Sequence, residues 1–459
     1  MATDEIPKVA PDESNPRYWS SGSNTQLLLG GSWQDNPFNH PTNLEAHLEK
    51  LTAVGGNYLR NVMSHRNEGN VYPYERDGDL FDLDRFNSEY WNRFERFLEL
   101  TAARDIVVQL EIWATHDHYH DHQSRGGWSY HPYNPANNST YSPDESGLPT
   151  AIEYAPGAEP TEHPFFRTVP RLDDNDIVRA YQTAFVDAIT DRTFEYPHVL
   201  YCINNETGER LEWGDYWVEY IRDRATDHGI EISTTDMRRN EDVTASDHDH
   251  IYDSPEKYTF VDISQNNAWA GEGQQHYDNI RHVMERTESP ARPINNVKNY
   301  GAIRHGEDES IARFCRIIFA GCASARFHRP HPIEDPSQHE AKSDFGLGLS
   351  PRAQRVIQSM RELTDKIDLR AARPAVDRLS NREPNEAYVL ANPRDKFALY
   401  FPDGGAVTLS VQDSTGTVQE TWIDIDSTEW DNPRMREKRD QMEIEAPGSG
   451  HWGVILKSD

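Results

Sequence analysis

The chain has 459 residues, and its 77 acidic residues outnumber its 46 basic ones, giving a formal net charge of -31. So strong a negative charge argues against nucleic acid or an anionic membrane surface as the partner. Hydrophobic residues make up 36% of the chain, enough for a core, which argues against general disorder. The length exceeds one ordinary domain and suits a large barrel followed by a smaller unit.

The small numbers of lysine and cysteine residues further narrow the class of protein. Only 9 of the 46 basic residues are lysines, which fits an acidic surface adapted to high salt, with ordinary solvation as the alternative. Cys202, Cys315 and Cys322 each lie in an apolar run and are predicted to be small core residues rather than a disulfide framework. Neither a signal peptide nor an apolar run of about 18 residues is visible, so we expect no membrane span and, by default, a cytoplasmic location.

From about residue 26, short apolar runs alternate with helical patterns such as "NLEAHLEKLTAVGG". The runs are apolar throughout rather than alternating, as strands of a buried parallel sheet are. Eight β/α units predict an α/β fold, a (β/α)8 TIM barrel over residues 1–370, with a doubly wound open sheet as the alternative. The predicted strands are "TQLLLGGSW", "NYLRNVM", "IVVQLEIWA", "VLYCINNE", "EISTTDM", "YTFVDISQ", "RPINNV" and "SARFHRP".

Two segments depart from this alternation. A long segment at about 114–173 has little periodicity but is rich in Trp, Tyr, His and Asn. It follows the third predicted strand, at the barrel face where active sites lie, so we expect it to face a substrate, with a flexible insertion as the alternative. Residues 371–459 read as short alternating strands with turns, which predicts a small antiparallel β-sandwich domain.

The fourth predicted strand ends in Asn205 and Glu206. Functional groups of a barrel concentrate at the C-terminal ends of its strands. A glutamate there can donate a proton to a leaving oxygen, and a neighbouring asparagine can hold a sugar hydroxyl. The alternative is a turn that caps the next helix.

Several segments resemble known sugar-cleaving enzymes. "VLYCINNE" is similar to the fourth-strand Asn-Glu motif of the clan A glycoside hydrolases, whose glutamate is the general acid/base. "NPRYWSSGSNTQLLLGGSWQDN", "HPYNPANN", "PINNVKNYG", "FALYFPDGGAVTLSV" and "GHWGVIL" resemble segments of the bacterial apiosidase-like family, in the same order along the chain. The resemblance implies a barrel glycoside hydrolase acting on plant or algal polysaccharide side chains.

The seventh strand departs from that pattern. A retaining enzyme of the clan needs a second carboxylate about 5 Å from the first, yet "RPINNVKNYG" contains neither Asp nor Glu. The partner could come from another strand end, a more distant carboxylate could serve an inverting enzyme, or the protein could bind sugars without cleaving them. The candidates for the second carboxylate are Glu111, Asp117, Asp236 and Asp262.

Further side chains near the predicted strand ends are candidates for substrate binding. Tryptophan rings can stack on sugars, and basic groups can clamp a carboxylate or sulfate, although each could instead be core or pair with a neighbouring acid. These candidates are Trp33, Arg60, Trp113, His116, Asn296, Lys298 and His328.

The tract "HDHYHDH" holds His116, His118, His120 and His122 at alternate positions. Zinc ligands usually come from better-separated elements, so a sugar-stacking or solvated loop is predicted, with no metal and no cofactor. The sequence thus predicts a glycoside hydrolase with a carbohydrate substrate. The alternatives are a non-catalytic carbohydrate-binding protein on a degenerate glycosidase barrel and, more remotely, a polysaccharide lyase.

Overall fold

The computed structural model describes residues 8–21, 24–119, 127–152, 162–267, 271–300, 306–330, 346–393, 396–411 and 416–458. His120 and His122 of the histidine tract lie outside these residues. Within them, no helix is both long and apolar enough to cross a membrane. All three cysteines are buried and free, which confirms their prediction as core residues.

Parallel strands form the centre of the first domain, and each lies inside one of the eight predicted runs. Among the described residues the strands are β1 (Leu28–Gly31), β2 (Tyr58–Val62), β3 (Val107–Trp113), β4 (Val199–Asn204), β5 (Thr234–Thr235), β6 (Val261–Asp262), β7 (Ile294–Asn295) and β8 (Ser324–Phe327).

Six of these strands pair in the order β5-β4-β3-β2-β1-β8, and β6 pairs with β7. The two sheets are joined on both sides. The amide of Ala323, just before β8, donates to Ile294 O of β7 at 2.8 Å, and Thr234 N of β5 donates to the hydroxyl of Thr259, just before β6, at 2.9 Å. The sheet therefore curls into a closed ring of eight strands, the arrangement of a (β/α)8 barrel.

The barrel interior is filled by side chains rather than open. Gln109 of β3 bridges the ring, because its Oε1 accepts from the Tyr58 hydroxyl at 2.6 Å and its Nε2 donates to Asp262 at 2.7 Å. Trp19, fully buried, donates its indole N–H to Asn295 at 2.9 Å. These contacts fix the strands whose far ends carry the candidate site.

Helices cover the outside of the ring between successive strands. Three of the helices begin with a side-chain cap: Asn87 and Asn175 accept backbone N–H groups of the first turn, and Ser350 accepts from Ala353 N. The Ser350 cap, with Pro351 in the first turn, is the one that the sequence predicted. The longer helices are α1 (Pro41–Ala53), α2 (Ser88–Ala102), α3 (Asp176–Thr193), α4 (Leu211–Asp227), α5 (Gln274–Arg286), α6 (Gly306–Phe319) and α7 (Pro351–Asp365).

The described parts of the segment between β3 and α3 are held by many side-chain hydrogen bonds to the backbone. Asn134 donates to the backbone at Trp128 and Thr150, both at 2.9 Å, and Asn138 donates to two further carbonyls. Asparagine amides therefore replace the regular ladder that this segment lacks. Short helices outside the main set are His116–Tyr119, Pro143–Ser146 and Asp249–Asp253.

Beyond α7 the chain forms two antiparallel sheets, in keeping with the predicted C-terminal domain. Val389 and Leu399 of one sheet and Val407 and Ile444 of the other share one buried apolar cluster. The larger sheet rests on the barrel through α7, where the Ser359 hydroxyl donates to the backbone at 3.0 Å. The strands are Arg373–Pro374, Leu379–Ser380, Tyr388–Asn392, Lys396–Phe401, Ala406–Ser410, Thr417–Asp424, Glu429–Trp430, Arg434–Glu437, Gln441–Glu445 and Trp452–Ser458.

Short strands also lie outside these two units. One antiparallel set precedes β1, where Trp19 enters the base of the barrel, and a hairpin lies between β2 and α2. Their bounds are Val9–Pro11, Trp19–Ser21, Asn24–Gln26, Tyr74–Asp77 and Leu80–Phe86.

Candidate active site

Glu206 stands at the mouth of the barrel, two residues beyond the end of β4. Its backbone is left-handed, with φ of 57°, a conformation that a residue other than glycine adopts at a cost of about 1 kcal/mol. Its side chain keeps 27% of its surface exposed, whereas that of its partner Lys298 keeps only 1%. The chain thus turns sharply to present one carboxylate to solvent above a buried cation.

The Glu206 carboxylate is contacted from several strand ends. Lys298, three residues after β7, forms an ion pair with Glu206 Oε1. The hydroxyl of Tyr300 donates to the same oxygen at 3.1 Å, and Gln265, after β6, contributes to lowering the pKa of this carboxyl group. His116, after β3, acts on it through its charge. The carboxylate is therefore the point at which the loops after three other strands converge.

These contacts fix its ionisation. Burial acts to raise the pKa of Glu206, but the charge and hydrogen bond of Lys298, together with His116, hold that pKa well below its ordinary value. Glu206 is therefore an anion at neutral pH. In this state it suits the role of a base, and it becomes an acid only after it has taken up a proton.

Asn205 lies beside Glu206 and links it to a deeper network. Its Oδ1 accepts from Lys298 Nζ at 2.6 Å and from Arg60 Nη2 at 2.9 Å. Arg60 also binds both carboxylate oxygens of Glu111, at 2.6 and 2.7 Å. The oxygen of Asn205 is thus occupied, whereas its amide nitrogen bonds to none of the described residues.

Asp35, which follows β1, is the centre of the cationic side of the mouth. It accepts from Arg60 at 2.5 Å, from Arg66 at 2.8 Å and from Arg329 at 2.7 Å, and His328 lies 3.6 Å away. Burial acts to raise the pKa of Asp35, but these cations hold it well below its usual range. Arg60 also pairs with Glu111 and Arg66 also pairs with Asp117, so the charges of this network balance.

The structure corrects the three strand-end candidates for the second carboxylate. Glu111 is fully buried and held by Arg60, so it orients that arginine. Asp236 accepts from the backbone and side-chain N–H groups of Asn204 at 3.0 and 2.9 Å, and Asp262 is held by Gln109 inside the barrel. Both aspartates are 5% exposed or less, and burial raises the pKa of each. None of the three opens to the mouth.

Asp117, the remaining candidate from the sequence, is also engaged. It accepts from Arg66 Nη1 at 2.9 Å and from the Ser64 hydroxyl at 2.6 Å, and it is 2% exposed. It therefore extends the ion-pair network of Asp35 rather than facing Glu206.

The residues predicted to bind sugar also fall into a buried group and a partly exposed group. Trp113 is 3% exposed and packs among Phe165, Phe185 and other rings, which corrects its prediction as a stacking face. Asn296 is fully buried and accepts from Asn267 at 2.9 Å, so it too belongs to the core. Trp33 remains partly exposed, with its ring 4.1 Å from that of His47.

His118 and His131 of the long segment pack against each other as apolar rings. His118 is 2% exposed, its ring lies 4.1 Å from that of His131, and burial lowers its pKa to about 3. In the part of the chain that the structure describes, no group of three or more His, Cys, Asp or Glu side chains is arranged to hold a metal ion.

Tyr300 and Gln265 are the contacts of Glu206 that sequence reasoning missed. Tyr300 lies in "PINNVKNYG", two residues after Lys298, so both side chains can point to the same face of an extended segment. Gln265 is marked only by its position at the end of the sixth predicted strand. The spacing between Lys298 and Tyr300 could have indicated Tyr300. Nothing in the sequence indicated Gln265 except its place at a strand end.

Solved structures with the same fold are glycoside hydrolases. A family 5 glycoside hydrolase from Bacteroides vulgatus has a TM-score of 0.65 at 14% identity, covering 98% of this chain and 93% of that one. A second glycoside hydrolase has a TM-score of 0.64 at 11% identity, covering 99% and 97%. A family 5 mannosidase from Rhizomucor miehei has a TM-score of 0.51 at 14% identity, covering 78% and 97%.

No protein-family model and no curated protein matches the chain. At such low identities the structural likeness concerns the fold alone: this chain has a (β/α)8 barrel followed by a domain of antiparallel sheets.

Proposed function

We propose that the protein is a glycoside hydrolase whose catalytic acid/base group is Glu206. The observation that supports this is a partly exposed carboxylate at the end of the fourth strand of a glycosidase-type barrel, with the amide of Asn205 beside it. The motif order that resembles the apiosidase-like family favours a plant or algal polysaccharide or oligosaccharide as the substrate class. The arginines around Asp35 are compatible with an anionic sugar as the substrate.

The lowered pKa of Glu206 sets the order of its roles. Because Lys298 holds the carboxylate ionised, Glu206 begins the reaction by accepting a proton and can return that proton in a later step. The group thus acts first as a base and then as an acid.

One observation favours a second candidate, a non-catalytic carbohydrate-binding protein. At the strand end where a retaining enzyme of this clan holds its second carboxylate, this chain places Lys298, which neutralises Glu206. A neutral, hydrogen-bonded mouth can bind a sugar without cleaving it.

A glycan hydrolysis panel separates the two functions. Plant and algal polysaccharides and aryl glycosides are incubated with the wild type, with Glu206→Gln and, as a matched control, with Glu219→Gln, whose carboxylate pairs with Lys257 outside the mouth. We expect release of sugar by the wild type and the control, and a loss on the order of 10³-fold in Glu206→Gln. Equal release by all three would refute the role of Glu206. Binding of a glycan in calorimetry without release by any protein would establish the second candidate.

A further inference from the structure

We propose that Tyr300 is the nucleophile of this site and that Glu206 is its base, an assignment that rests on the proposed glycoside hydrolase function. It fills the position that no described carboxylate fills. The side chains that the segment after β7 directs at Glu206 are those of Lys298 and Tyr300, and a protonated lysine has no lone pair with which to attack.

The geometry is that of a nucleophile hydrogen-bonded to its base. The Tyr300 hydroxyl donates to Glu206 Oε1 at 3.1 Å, within the reach required for direct proton transfer. Lys298 binds the same oxygen and fixes the carboxylate in its ionised form. Nucleophile, base and orienting cation therefore form a chain of three groups, the logic of a catalytic triad.

The surroundings hold the phenol in place. The ring of Tyr300 lies 4.4 Å from the ring of His328, which itself sits beside Asp35. Burial and the neighbouring Glu206 charge raise the pKa of Tyr300 well above its ordinary value, so the phenol is protonated at rest. It must lose its proton as it attacks, and the anionic carboxylate that it already contacts is the acceptor.

The first step forms a bond between Tyr300 Oη and the anomeric carbon. The bond from that carbon to the leaving oxygen breaks, and its electron pair goes to the leaving oxygen, which takes a proton from bulk water. The phenol proton passes to Glu206 Oε1. Tyrosine serves as the nucleophile in a known minority of glycosidases, so the chemistry does not require a second carboxylate.

The second step reverses the first with water. A water oxygen bonds to the anomeric carbon, the bond to Tyr300 Oη breaks, and the phenolate takes its proton back from Glu206. The surplus proton of the water returns to solvent, so the net reaction is hydrolysis. Two displacements at one carbon retain its configuration.

A trapping experiment tests the assignment. Wild type, Tyr300→Phe and the control Tyr258→Phe are incubated with a panel of activated fluoro-glycosides that carry a dinitrophenyl leaving group. Tyr258 is a suitable control because its hydroxyl also donates to a carboxylate, Asp215 at 2.8 Å, away from the mouth. Intact mass and peptide mapping locate any sugar adduct, product configuration is read by NMR, and thermal melting verifies that each variant is folded.

We expect one adduct per wild-type chain, on Tyr300, with retained configuration. Tyr300→Phe should form no adduct and lose on the order of 10³-fold in kcat with little change in KM, because the ring remains. An adduct on another residue, an inverted product, or near wild-type activity in folded Tyr300→Phe would overturn the assignment while leaving the hydrolase function intact. A wild type that hydrolyses no substrate of either panel and forms no adduct would overturn both.

Discussion

Replacing Lys298 by methionine tests the central electrostatic feature of the site. The change keeps the length of the side chain and removes its charge, so Glu206 loses its ion pair and Asn205 loses one of two donors. Removing one partner of a buried ion pair costs about 3–5 kcal/mol. Because 27% of the Glu206 side chain is exposed, water can rehydrate part of the carboxylate, and we expect a loss of about 2–3 kcal/mol at neutral pH.

The pH dependence of this loss of stability is the stricter test of the ion pair. In the wild type the pKa of Glu206 lies below its ordinary value of 4.5, so the pair contributes stability that is present above that value and is lost as pH falls through the folded pKa. In Lys298→Met the two largest influences that lower the pKa of Glu206 are gone, so burial raises that pKa above its wild-type value. The penalty should therefore be largest near pH 7, and it should shrink as pH falls through the raised pKa of Glu206 in the variant and further below the ordinary value of 4.5.

Urea unfolding of both proteins across this range, at constant ionic strength, measures the difference. Lys257→Met is the matched control, since Lys257 pairs with Asp215 and Glu219 outside the mouth. A penalty for Lys298→Met that is the same at about pH 7 and about pH 4, or that grows on acidification, would refute the view that Lys298 holds Glu206 ionised.

Two further predictions concern neighbouring groups. Burial raises the pKa of Glu209 to about 7, so its contribution to the free energy of unfolding should fall as pH rises from about 4.5 to about 7. Glu209→Gln should remove this decline, as measured by urea unfolding at several pH values. The same dependence of stability on pH in the variant and the wild type would contradict the prediction. Arg60→Met leaves the fully buried Glu111 without its cation and should cost about 3–5 kcal/mol, whereas Arg96→Met, at a pair whose side chains are each 54% exposed, should cost far less. Similar losses of unfolding free energy in the two variants would contradict the buried network.

The sequence predicted the barrel strands well because the signal for each strand is local. Every described barrel strand lies within one predicted run, and α7 begins at the predicted Ser350 cap. Hydrophobic runs and capping residues act over a few neighbours, so they can be read without knowing the fold. For the same reason the position of Glu206 at a strand end was visible in "VLYCINNE".

The roles of the acidic candidates could not be read in this way. Glu111 and Asp262 each follow an apolar run, as Glu206 does, but the first meets Arg60 and the second meets Gln109 inside the ring. Whether a strand residue points into the barrel, and which cation lies opposite, depends on the register of neighbouring strands. That register is set by pairing across the sheet, which a single strand sequence does not contain.

The sequence by itself therefore determined the architecture and one end of the site: a barrel, a following antiparallel domain, and Asn205 with Glu206 at the mouth. Only the tertiary structure decided what faces Glu206, because Lys298 is 92 residues away along the chain and Tyr300 is 94. Closure of the ring brings the ends of β4 and β7 together across the mouth, and Coulomb attraction between groups in contact then sets the charge of the carboxylate.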